Sequence, residues 1–109
     1  MDMKTLADFK RILAQPGCTV TVLRNDWLAN RDPKSLKPWY FEPRTVGKLQ
    51  GNAVAFNTTD PDGRLSWFWF PKAKCVRAEG DTITFCMKQD GTFDEVLVYR
   101  VAVPAEVAP

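Results

Sequence analysis

The alternation of apolar and polar residues is clearest from Asn52 to Pro71, N-A-V-A-F-N-T-T-D-P-D-G-R-L-S-W-F-W-F-P. Asp60-Pro61-Asp62-Gly63 divides this stretch. Proline presets φ, aspartate accepts local backbone bonds and glycine takes the left-handed position, so a turn is predicted. A three-residue loop closed by a bulge at Gly63 pairs Asp60 with Arg64 and then, counting outward, Thr58 with Ser66, Phe56 with Phe68 and Val54 with Phe70. Asn57 then faces Trp67, and Ala55 faces Trp69. Gly51-Asn52 reads as a two-residue turn to the preceding strand. It sets Leu49 beside Val54, Gly47 beside Phe56 and Thr45 beside Thr58, the bare Gly47 leaving room for the Phe56 ring. One face of this ribbon carries Leu49, Val54, Phe56, Phe68 and Phe70 and must be core. The other, mixed face carries Val46, Lys48, Ala55, Asn57, Trp67 and Trp69. A one-residue slip would turn the phenylalanines to water, so parity is strongly constrained.

Upstream, Leu6, Phe9, Ile12 and Leu13 form an apolar stripe at helical spacing. Thr5 as N-cap and Asp8 in a capping-box variant start a helix over about 5–14, and Gln15-Pro16-Gly17 stops it. The helix is expected to lie across an open end or one face of the sheet. Cys18 to Arg24 is a β-branched strand in which Val20 and Val22 share a face. Residues 25–42 keep no such period. Pro33, Pro38 and Pro43 break them up, and a long ordered loop anchored by Trp27, Trp39, Tyr40 and Phe41 is predicted. Ala73–Ala78, Thr82–Met87 and Phe93–Val103 supply the remaining strands. Asp90-Gly91 as a two-residue turn sets Phe85 beside Val96 and Ile83 beside Val98, while a turn at Glu79-Gly80 sets Val76 beside Ile83. The tail 104–109 is expected to fray. The sum is a single α+β domain, mainly β. A short N-terminal helix packs on an antiparallel meander of about seven strands over 18–103, rolled into a small barrel so that no edge is left open.

Composition narrows the function. With 109 residues and 45% hydrophobic content the chain suits one globular domain. A net charge of +2 is too small to imply nucleic-acid or membrane binding by itself. No apolar run approaches a membrane span, and M-D-M-K-T-L-A-D-F-K lacks the apolar region of a signal peptide. Cys18, Cys75 and Cys86 form an odd set without C-x-x-C spacing, which predicts small buried hydrophobes in a reduced, cytoplasmic protein.

Histidine is absent, which removes Ser-His and Cys-His pairs and most zinc and iron sites. Asp94 and Glu95 are neighbours on a strand and point to opposite faces, so they make no carboxylate dyad. Asp60 and Asp62 are accounted for by their turn, and no G-x-G-x-x-G or G-K-[ST] loop is present. The expectation is a non-catalytic protein without metal or cofactor.

One constellation stands above background. Between Arg24 and Lys48, six basic residues (Arg24, Arg31, Lys34, Lys37, Arg44, Lys48) face three acidic ones (Asp26, Asp32, Glu42), a local +3 that leaves −1 for the remainder. Trp27, Trp39 and Tyr40 lie among these charges, and Lys48 flanks Trp69 on the mixed face. Rings beside cations suit a protein-binding hot spot, and equally suit stacking on single-stranded nucleic acid. The candidate partner-binding set is therefore Trp27, Arg31, Lys34, Lys37, Trp39, Tyr40, Arg44, Lys48, Trp67 and Trp69. A protein partner is favoured over single-stranded nucleic acid. In the plainer alternative, the helix and loop merely cover Trp67 and Trp69 as a second small core.

R-T-V-G-K-L-Q-G-N-A-V-A-F (Arg44–Phe56), S-W-F-W-F-P-K-A (Ser66–Ala73) and V-L-V-Y-R-V (Val96–Val101) together resemble small accessory proteins of phages, prophages and plasmids. These pair a short N-terminal helix with a compact β domain, and the likeness covers residues 4 to 101. It implies an intracellular, mobile-element setting and capture or blocking of a host macromolecule, such as a nucleic-acid-degrading defence system. It carries no catalytic residue over. DNA mimicry would need a strongly acidic surface, which +2 does not provide.

Overall fold

The structure, a computed structural model, describes residues 2–49, 55–59, 63, 65–69, 75–89 and 93–104, with backbone alone at 48, 49, 55, 67, 69, 87–89, 93 and 94. A helix, α1 (Leu6–Leu13), precedes strand β1 (Thr19–Asn25). A second helix, α2 (Asp26–Arg31), and two 3-10 turns, Pro33–Ser35 and Pro38–Phe41, occupy the stretch expected to be a loop. Strands β2 (Arg44–Leu49), β3 (Ala55–Thr59), β4 (Leu65–Trp69), β5 (Cys75–Glu79), β6 (Thr82–Gln89) and β7 (Phe93–Ala102) follow.

Thr5 begins α1 as predicted. Its side chain accepts from the Asp8 amide while the Asp8 carboxylate accepts from the Thr5 amide, a closed capping box. Phe9 and Leu13 are buried and Leu6 and Ile12 pack against them. Backbone hydrogen bonding ties the preceding residues down too: Met3 donates to the Gly80 carbonyl at 2.8 Å and is itself buried.

Among the described residues, seven strands form one antiparallel sheet in the order β4-β3-β2-β1-β7-β6-β5, and of their pairings only β1–β7 is non-sequential, joining the two halves of the chain. The sheet is not closed into a barrel: β4 and β5 are its edges. It is nonetheless strongly curled. Four strand spacings separate β4 from β7, about 19 Å if flat, yet the Phe68 and Tyr99 ring centroids are 6.2 Å apart. Phe9 fills the hollow, stacking on Tyr99 at 5.9 Å and meeting Phe56 and Phe85 edge-on at 6.4 and 6.3 Å. The helix thus covers the phenylalanine face.

The β3–β4 register is the predicted one: Ala55–Trp69, Phe56–Phe68, Asn57–Trp67 and Thr58–Ser66 are partners, and Gly63 takes φ +86°. Val20 and Val22 are both buried. Other registers differ. Val46 pairs with Thr58 and Leu49 with Phe56, with an irregularity between them. The extra residue reverses parity, so Val46 belongs to the core face on which it packs, not to the mixed face. Gly47 makes room for Asn57 rather than Phe56, since a Cβ there would collide with Asn57 Oδ1. Beyond Gln89–Phe93 three residues intervene, not two, so Phe85 pairs with Leu97 and Ile83 with Tyr99. That one-residue change puts Leu97, Tyr99 and Val101 in the core in place of Val96 and Val98. The β5–β6 turn is Gly80-Asp81, with φ +63° at Gly80, and pairs Ala78 with Ile83 and Val76 with Phe85. Val76 is 39% exposed at the sheet edge.

The turns expected at Gly51-Asn52 and Asp90-Gly91, the pairings Asp60–Arg64 and Val54–Phe70, the ring-side environment of Trp67 and Trp69, and the tail beyond Pro104 lie outside the described residues. Among those described, no helix is long and apolar enough to cross a membrane.

Candidate functional site

The stretch between β1 and β2 is aimed by a bulge. The β1–β7 register shifts between Val22 and Arg24, so Asn25 rather than Arg24 partners Leu97. A bulge re-aims the side chains beyond it, and Asn25 uses the new direction twice. Its Oδ1 accepts from the Leu28 amide at 3.0 Å, capping α2, and its Nδ2 donates to Tyr40 Oη at 2.9 Å. One side chain therefore ties the start of the insert to its end.

Two carboxylates fix α2 to β7. Asp26 accepts from the Val96 amide at 3.0 Å and forms a two-point pair with Arg24, both contacts 2.8 Å. The Arg24 guanidinium, with the Val96 amide in support, holds the Asp26 carboxyl below its ordinary range. Glu95 is 2% exposed and accepts from Arg31 Nη1 at 2.9 Å and from Asn30 Nδ2 at 2.9 Å. Arg31 in turn donates to the Trp27 carbonyl at 3.0 Å and stacks over the Trp27 ring at 4.6 Å. Alternation separates Glu95 from Asp94, but the burial of Glu95 on the face of Leu97 and Tyr99 and its partners were not foreseen, because residues 64 positions apart give no local signal.

The second anchor is Arg44. It opens β2, is 4% exposed, and lies 5.2 Å from Trp39, 5.0 Å from Tyr40 and 5.2 Å from Phe68, ring centroid to guanidinium carbon. Its Nη2 also donates to the Tyr40 carbonyl at 3.3 Å. Each such contact in a desolvated site contributes about 1–2 kcal/mol. The 3-10 turn Pro38–Phe41 is therefore clamped against the sheet by Arg44. Burial pushes the Tyr40 phenol upward, more than the Asn25 bond and Arg44 pull it down, and burial likewise raises Tyr99. Both phenols stay neutral at physiological pH.

These elements enclose a cleft of about 780 Å³. Trp27, Leu28, Trp39 and Tyr40 form its walls, and Phe68, Leu97 and Tyr99 reach it from the sheet. Among the described residues, Lys34, Lys37 and Arg44 supply cationic groups against the carboxylate of Asp32. Trp27 and Trp39 keep 47% and 36% of their surface in solvent.

Of the predicted residues, Trp27, Lys34, Lys37, Trp39, Tyr40 and Arg44 meet in this cleft, and Arg31 supports Trp27 from behind. Lys48, Trp67 and Trp69 have side chains outside those described. No family model, curated protein or solved structure matches this chain. The cleft must be read from its own chemistry. Leu97 and Tyr99 were missed because the two-residue turn expected near residue 90 placed them on the wrong face. Phe68 was recognised only as core, since parity cannot tell a covered ring from one that lines a cavity.

Proposed function

We propose that this protein is a non-catalytic binding module that captures a protein partner by seating an aromatic or branched apolar side chain, flanked by carboxylates, in the cleft between α2, the Pro38–Phe41 turn and the sheet. The observation that carries this reading is the convergence of two half-exposed tryptophans and three cationic side chains on one concavity. Its volume lies in the range of about 300–1,000 Å³ typical of ligand pockets. Buried arginine and aromatic anchors are the groups that dominate protein-binding hot spots. The excess of Lys34, Lys37 and Arg44 over Asp32 favours acidic flanks on the occupant. In a mobile-element setting, as the sequence resemblance implies, such a module would block a host macromolecule.

A second reading has its own support. Trp27 and Trp39 keep part of their surface in solvent near Arg31, Lys34 and Lys37, a combination of rings and cations that suits single-stranded nucleic acid. The test is capture from host lysate on immobilised protein, with and without nuclease, comparing wild type with the Lys37→Ala/Trp39→Ala double variant. Nuclease-resistant proteins retained by wild type and lost by the variant are expected. Retention unchanged by the variant would overturn the assignment to this cleft. Oligonucleotide binding that falls steeply with salt, as counterion release requires, would favour the second reading.

A further inference from the structure

The three cysteines do not share one environment. Cys18 is buried, and burial pushes its thiol up to about 11, so it stays protonated and unreactive. Cys75 and Cys86 instead face each other as cross-strand partners on the β5–β6 hairpin, Cys75 exposed and Cys86 half-buried. The neighbouring pair Val76–Phe85 turns toward the core, as Phe85 burial shows. By strand alternation the two thiols sit together on the opposite face. Directly opposed residues of an antiparallel pair lie about 4.5–5.5 Å apart at Cα. That falls inside the window of about 4.4–6.8 Å that a disulfide spans. Cys75 also lies on β5, an edge strand, where solvent reaches it.

We infer that Cys75 and Cys86 form a redox-modification site: a cross-strand dithiol that low-molecular-weight disulfides such as glutathione disulfide convert to an intramolecular disulfide. The Cys75 thiolate attacks one sulfur of glutathione disulfide, forming a mixed disulfide and releasing one glutathione thiolate. The Cys86 thiolate then attacks the Cys75 sulfur, forming the Cys75–Cys86 bond and releasing the second glutathione. The two cysteines lose two protons and two electrons, and glutathione disulfide is reduced to two glutathiones. Solvent exposure makes the bond reversible by excess thiol. The product joins the first residue of β5 to β6 and so staples an otherwise open sheet edge.

The test is incubation of the folded protein with excess glutathione disulfide, alkylation, and tryptic digestion without reductant. Cleavage after Lys74, Arg77 and Lys88 places the two thiols on separate peptides, Cys75–Arg77 and Ala78–Lys88. The expected result is that these two peptides are recovered joined, with loss of two hydrogens from the intact mass and reversal by dithiothreitol. The Cys86→Ser variant should stop at the mixed disulfide on Cys75. The inference is overturned if wild type also stops there, if both thiols remain alkylatable, or if the bond formed involves Cys18 or a second chain.

Discussion

Replacing Arg31 should cost more stability than replacing its partner Glu95, although the two share one ion pair of 2.9 Å. The reason is what each substitution leaves behind. The Glu95 side chain is 2% exposed and that of Arg31 33% exposed. In Arg31→Met, a carboxylate remains in a dry site with the Asn30 amide as its donor. Removing one member of a buried pair costs about 3–5 kcal/mol, and the partial exposure here reduces that to about 2–4 kcal/mol. In Glu95→Leu, the guanidinium turns to water while keeping the Trp27 carbonyl within reach, and the loss is about 1 kcal/mol. The double variant has neither charge, so it should match Glu95→Leu rather than the sum of the singles. The resulting coupling equals the Arg31→Met cost, about 2–4 kcal/mol, at the upper end of what residues in direct contact show. Urea unfolding followed by far-UV circular dichroism at neutral pH measures all four corners of the cycle. Equal costs for the two singles, or strict additivity, would refute the account of Glu95 as a desolvated carboxylate held by Arg31.

Phe56→Ala should lose about 3–5 kcal/mol, since that ring is fully buried, whereas Phe68→Ala, partly buried at the cleft wall, should lose less, about 2–3 kcal/mol; chemical denaturation ranks them. Thr5→Ala removes the acceptor for the Asp8 amide and should cost about 1 kcal/mol, with faster amide exchange confined to α1. Asp26 has its pKa lowered in the folded protein by Arg24 first and the Val96 amide second. Its contribution is therefore present above the ordinary value of 3.8 and fades as pH falls through the lower folded one. Asp26→Asn should accordingly flatten part of the acid limb of a stability–pH curve; an acid limb identical to wild type would contradict this.

Local chemistry carried a large part of the fold. The α1 capping box involves residues three apart, and Gly63 sits at a turn whose register propagates outward by strict alternation, so Phe56–Phe68 pairing needed no knowledge of the rest of the chain. Six of the candidate binding residues were legible for a similar reason: rings and cations crowd together between Arg24 and Lys48, and no regular amphipathic period explains them. Alternation is also where sequence reading failed, because it is reset by a single inserted residue. The bulge after Val22, the irregularity after Val46 and the extra residue before Phe93 each exchange one face of a strand for the other. Which option is taken depends on what the whole sheet packs against, here Phe9 and the rings around it. The same holds for the open, curled sheet in place of a closed barrel, for the burial of Glu95 against Arg31, and for the pairing of Cys75 with Cys86. Short-range propensities act over a few residues, and these features are set by contacts between residues brought together only when the sheet wraps its core.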